Sequence, residues 1–113
     1  MQKIPDELKN KLAQFQTLQQ QLQMVAVQKQ QLILEKSDAE EAEKELAAST
    51  GDVYKSVGPI LIKSEKASLK KELKDAITSA DGRISLLDKQ EQKLALKAQE
   101  LQKDLQSGFK GLQ

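Results

Sequence analysis

The chain has 113 residues, enough for one domain, and its 18 basic against 17 acidic residues leave a net charge of +1, which excludes a nucleic-acid binder held by bulk electrostatics. Only 3% of residues are aromatic and Trp is absent, so a compact globular core is hard to build, whereas the abundance of Ala, Glu, Lys, Leu and Gln favours long amphipathic helices. The absence of Cys and His removes disulfides, Cys/His zinc sites and the nucleophile–base pairs built from those residues.

The N-terminal stretch carries no apolar run of the kind a signal peptide needs. No segment approaches the roughly 18 apolar residues of a membrane span. A soluble, cytoplasmic protein with no membrane partner is the expectation.

The first predicted element is a helix over 6–48. Pro5 stands just before it, where proline is tolerated, and Asp6 and Glu7 place negative charge at the positive end of the helix dipole. Apolar residues recur at three- and four-residue steps. With Leu8 as heptad position a, the a set runs Leu8, Phe15, Leu22, Lys29, Lys36, Glu43, and the d set runs Lys11, Leu18, Val25, Leu32, Ala39, Leu46. The seam is strong from Phe15 to Leu32 and weaker beyond. Nine of the 18 residues from Gln14 to Gln31 are Gln. Because the seam runs through that tract, it reads as a solvated helix face rather than a disordered, aggregation-prone segment.

A breaker cluster, Ala48-Ser-Thr-Gly-Asp52, ends the helix. Two short β-branched runs follow, Val53 to Val57 and Ile60 to Lys63, punctuated by Gly58-Pro59, so that 49–64 reads as a turn and a β-hairpin. Val53, Lys55 and Val57 alternate with Tyr54 and Ser56. A second helix is predicted over 65–109, with Ser64 as its N-cap. Its d set is Leu73, Ala80, Leu87, Leu94, Leu101, and its a set is Ile77, Ile84, Glu91, Ala98, Leu105, with Leu112 next. Gly82 falls at f, on the solvent side, and costs about 1 kcal/mol relative to Ala.

Two helices of near-equal length joined by a compact connector should fold back antiparallel. The rough register pairs residues whose numbers sum to about 117. It sets Asp38, Glu40, Glu41, Glu43 and Glu45 opposite Lys66, Lys70, Lys71 and Lys74, and brings the polar seam residues Lys29 and Glu91 together. The expected fold is therefore all-α dominated: a long antiparallel two-helix coiled coil with a small hairpin, forming a single domain over 1–113.

A lone hairpin exposes both edges, and Val53, Val57, Ile60, Leu61 and Ile62 are too apolar to leave in water; with Tyr54 they are the expected oligomerisation residues. Pairing with hairpins of other subunits, in a shared sheet or barrel, would cover them. Where the two termini meet, Ile4, Leu8, Leu12 and Phe15 would lie beside Leu105, Phe109 and Leu112. Gly108 and Gly111 would favour fraying of the last turns. Such a tip could hold unfolded chains weakly, with avidity supplied by several arms. Phe15 and Leu105 can also be read as plain seam residues.

Three stretches in this order resemble the β-type subunit of prefoldin, in its archaeal form. They are Gln19-Gln-Gln-Leu-Gln23 with Gln28-Lys-Gln-Gln-Leu32, then the hairpin Val53-Tyr-Lys-Ser-Val57-Gly58 with Ile60-Leu-Ile-Lys63, then Arg83-Ile-Ser-Leu-Leu-Asp-Lys-Gln-Glu-Gln-Lys-Leu94. The resemblance implies a chaperone subunit without nucleotide or other cofactor. It implies a hexamer of two α-type and four β-type subunits joined through hairpins into a double β-barrel. It also implies capture of unfolded client proteins at the coiled-coil tips and delivery to a group II chaperonin. Asp81-Gly82 departs from good helix formers and puts the straightness of that arm in question.

Three other readings are weaker. No phosphate loop or metal-ligand spacing supports an enzyme. A structural coiled-coil tether or scaffold explains the heptads but not the hairpin. A coiled-coil finger acting through its connector would need exposed acids there, and the connector offers Asp52 alone among β-branched residues.

Overall fold

The structure is a computed structural model that describes residues 4–112. The single domain expected over 1–113 also takes in residues 1–3 and 113, which lie outside the described residues. The elements run α1 (Asp6–Ala48), β1 (Val53–Val57), β2 (Ile60–Ser64) and α2 (Lys66–Lys110).

Helix α1 opens where Pro5 prescribes. The Pro5 carbonyl accepts from the Lys9 N–H at 3.0 Å, and Asp6 and Glu7 occupy the first turn. Its far end carries no basic residue of its own. The Leu46 carbonyl there accepts both the Ser49 N–H at 3.3 Å and the Ser49 hydroxyl at 2.7 Å. Gly51, with φ +89°, then turns the chain out of the helix. The Lys66 ammonium reaches back to the Ser49 carbonyl at 3.0 Å and supplies the missing positive charge at the negative end of the dipole.

Strands β1 and β2 pair antiparallel in the register Val53 to Ser64, Lys55 to Ile62 and Val57 to Ile60. Gly58 has φ +57°, and Pro59 is confined to negative φ. Those signs are the ones a type II′ hairpin turn requires. Ser64 is therefore a strand residue, not the expected N-cap. Its hydroxyl donates to the Ile62 carbonyl at 3.1 Å, and the Glu65 carbonyl accepts the first bond of α2 from Leu69 at 3.1 Å. The ladder bond to Val53 holds Ser64 extended, so the helix starts one residue later.

The heptads mark the buried stripe of each helix. Every a and d residue of α1 from Leu8 to Leu46 is buried or half-buried, and so is every one of α2 from Leu73 to Gly108, with Leu112 half-buried just beyond its end. The stripe in α1 continues past Leu32, because the Lys36 stem, Ala39 and the Glu43 stem carry it. Gly82 lies inside α2, which runs through it unbroken.

Two compact units are distinguished, and both helices contribute to each. In the unit Met1–Lys29 with Leu86–Gln113, the core is Leu8, Val25, Ala98 and Leu105. Lys11 pairs with Asp104 at 3.8 Å, and Lys29 pairs with Asp88 at 2.6 Å and with Glu91 at 3.3 Å. The falling partner numbers show the helices antiparallel. In the unit Gln30–Ser85, the core is Leu32, Ala39 and Ala80. Here Lys36 pairs with Asp81 at 2.6 Å and Ser49 meets Lys66 at 3.0 Å, so the partner numbers fall again and the sense is antiparallel.

The expected Lys29–Glu91 pair is present, with Asp88 as a second and nearer partner. The expected match of the acidic run 38–45 with the basic run 66–74 is not made by ion pairs: among the described residues none joins Asp38, Glu40, Glu41, Glu43 or Glu45 to Lys66, Lys70, Lys71 or Lys74. Lys66 instead caps α1, and one oxygen of Glu43 is buried without a hydrogen-bond partner.

Candidate functional site: the hairpin and the terminal turns

Directly opposed residues of an antiparallel pair share a face. The register therefore puts Val53, Val57, Ile60 and Ile62 on one face with Lys55 and Ser64, and Tyr54 and Leu61 on the other with Ser56 and Lys63. Neither face is covered within the unit. Leu61 is 70% exposed and Ile60 60%, and Tyr54, Val57 and Ile62 are exposed as well; Val53 alone of the six expected residues is half-buried. The sheet has two strands and hence two open edges.

Two solvent-exposed ion pairs lie at the base of the hairpin. Lys55 on β1 meets Glu72 on α2 at 2.9 Å, and Lys63 on β2 meets Asp52 at 3.5 Å. Beside the first pair, Leu46, Val53, Leu69 and Leu73 line a hollow of about 470 Å³ between the helix ends and β1. The hairpin is thus an exposed apolar plate, fixed at its base and open along both edges. Such a plate can add strands or receive a second plate face to face.

The terminal turns sort the seven residues expected at a tip. Leu8 and Leu105 are buried in the seam, and Phe15 and Leu112 are half-buried. Ile4, Leu12 and Phe109 are exposed. Leu12 and Phe109 each occupy the e position of their heptads, at the margin of the seam.

Both glycines stand in hydrogen-bonded backbone. Gly108 lies within α2, and backbone bonds continue from Gly111 N–H to Ser107 O at 3.1 Å and from Leu112 N–H to Phe109 O at 3.2 Å. Gly108 falls at d, seven residues past Leu101. A Cβ there would stand 2.5 Å from Leu8 Cδ1. Its role is close approach: the missing side chain makes room for Leu8.

Electrostatics are local. The Lys29 pKa is raised, first by its hydrogen bond to Asp88 and then by that to Glu91, and the Lys36 pKa is raised by its hydrogen bond to Asp81 and the attraction of that carboxylate. Among the described residues no group of three His, Cys, Asp or Glu could hold a metal ion, and no helix is long and apolar enough to cross a membrane.

Comparison with known proteins gives a consistent set of relatives. The family model described as "Prefoldin subunit" matches residues 9–111. The chain is 42% identical over 108 residues to the prefoldin subunit beta of Methanothrix thermoacetophila, covering 94% of this chain and 90% of that protein. It is 38% identical over 112 residues to the prefoldin subunit beta of Thermococcus kodakarensis, covering 97% and 96%. The crystal structure of the prefoldin beta subunit from Thermococcus strain KS-1 superposes with a TM-score of 0.84 at 38% identity, covering 95% of this chain and 96% of that one.

Proposed function

This chain belongs to the prefoldin subunit family, and from that premise we propose that it is a β-type subunit of an ATP-independent chaperone that holds unfolded proteins. Four copies join two α-type subunits by pairing hairpins into a double β-barrel. The coiled coils project from that platform as arms, hold clients at their ends and pass them to a group II chaperonin. The work is done in the cytoplasm, without catalysis, cofactor, metal or nucleic acid, and the chain acts as one domain.

The observation that carries this reading is the hairpin. Val57, Ile60, Leu61 and Ile62 lie exposed on a two-stranded sheet with both edges open, an arrangement that is costly in water and useful only when other strands cover it. A plain tether has no need of it. Client contact is assigned to Ile4, Leu12 and Phe109, which are exposed near the termini, with Leu8, Phe15, Leu105 and Leu112 behind them. Small apolar contacts on several arms give each arm weak affinity and the assembly useful avidity.

The test is suppression of light scattering when a chemically unfolded protein is diluted into the chain assembled with an α-type subunit. The assembly should suppress aggregation without nucleotide. Replacing Ile4, Leu12 and Phe109 together by Ser should weaken suppression while the mass of the assembly stays the same. An assembly that forms and suppresses nothing would contradict the reading.

A further inference from the structure

A second surface, in the unit Met1–Lys29 with Leu86–Gln113, shares no residue with the hairpin or the terminal turns. From α1 it takes Gln21, Met24, Val25 and Gln28, which are the g, c, d and g positions of one heptad and its successor. From α2 it takes Lys93, Leu94 and Lys97, with Gln90 completing the same g, c, d, g spacing. The result is an open groove of about 370 Å³ within one unit. Val25 and Leu94 form its floor, and Met24, 62% exposed, forms one wall. Leu86, one heptad before Lys93 and 64% exposed, prolongs the apolar flank.

Three features define the occupant. The lining recurs at i, i+3, i+4 and i+7 on both helices, which is the spacing that receives the knobs of a third helix. The wall is a thioether, a side chain that adapts to differently shaped apolar partners. The charge at the rim is of one sign: Lys93 and Lys97 line the groove, no carboxylate does, and neither lysine belongs to an ion pair among the described residues.

We propose that this groove docks an amphipathic helix of a protein partner, one whose apolar stripe packs on Met24, Val25 and Leu94 and whose flanking carboxylates meet Lys93 and Lys97. The site is distinct from the terminal residues assigned to client contact and does not depend on that assignment. The side-chain amides of Gln21, Gln28 and Gln90 at the rim can donate or accept and so favour neither sign, which leaves acidic selectivity to the two lysines.

The probes are two short fluorescent helical peptides with the same apolar stripe, one carrying Glu and the other Lys at the flanking positions. Their binding to the full chain is read by fluorescence anisotropy at low salt, alone and in the assembly with an α-type subunit. The Glu peptide should bind about tenfold more tightly than the Lys peptide, as two rim charge pairs of ordinary strength would give. The double substitution K93E and K97E should reverse the preference with the helical content of the chain unchanged. Met24→Gln should weaken both peptides, and Phe109→Ser should weaken neither. Equal binding of the two peptides, an unreversed preference in the double variant, or loss of binding in Phe109→Ser would each overturn the proposal. A change of oligomer mass in the double variant without peptide would assign the groove to a second copy of the chain and overturn it as well.

Discussion

Three lysines of α1, Lys11, Lys29 and Lys36, stand at heptad positions where an apolar side chain is the rule, and each is met by a carboxylate of α2. Their stems lie in the seam while their ammonium groups reach its margin. Only the antiparallel register brings Asp104, Asp88 and Asp81 to them in that order, so the pairs act against parallel or slipped alignments. The pKa values of Lys29 and Lys36 are raised in the folded chain above the ordinary 10.5. Their contribution to stability is therefore fully present below pH 10.5 and is lost as pH rises through the raised values. Thermal melts across that alkaline range should show the native chain losing more stability than a variant with Met at both positions. Equal losses would remove the pairs from the account. Two glycines of α2 give a second residue-scale test. Nothing lies within 4 Å of a Cβ at Gly82, so Gly82→Ala should stabilise by about 1 kcal/mol in denaturant unfolding. At Gly108 the same helix gain is opposed by displacement of Leu8, so Gly108→Ala should gain less, and an equal gain would contradict the close packing seen there.

At the scale of elements, the helices and the hairpin are held by different means. The heptads were legible because each seam position carries its own apolar side chain or long stem, and the strands because β-branched runs flank Gly58-Pro59. What was not legible depended on two elements at once. Asp81 and Asp88 look like solvated charges until the facing helix places a lysine beside them; an e-position acid opposite an a-position lysine was the available signal. The close approach at Gly108 was not legible because its d position goes unnoticed without Leu8 opposite. The groove of Met24 and Lys93 arises from the c and g positions of both helices, which a search along the a and d seam passes over. Ser64 was claimed by the ladder before it could cap α2. The hairpin itself gives the sharpest test at this scale. Leu61→Lys places a charge on a face that is bare within the chain and breaks no contact that holds the helices. Circular dichroism should report unchanged helix content, while size-exclusion chromatography with an α-type subunit should report loss of the assembly. Loss of helix would mean that the hairpin stabilises the arm rather than joins subunits.

For the molecule as a whole, the heptads explain why the helices pair, and the exposed hairpin explains why pairing within one chain is insufficient. Five exposed apolar residues on two short strands have no covering partner among the described residues, and the proposed pairing with other prefoldin subunits would cover them. Ile4, Leu12 and Phe109 are exposed as well, and the proposal gives them client contact rather than that joining. Native mass spectrometry of the chain, alone and mixed with an α-type subunit, tests this most directly. A complex of four copies with two α-type chains is the predicted result. A stable monomer, or a two-chain coiled coil indifferent to the α-type subunit, would contradict it.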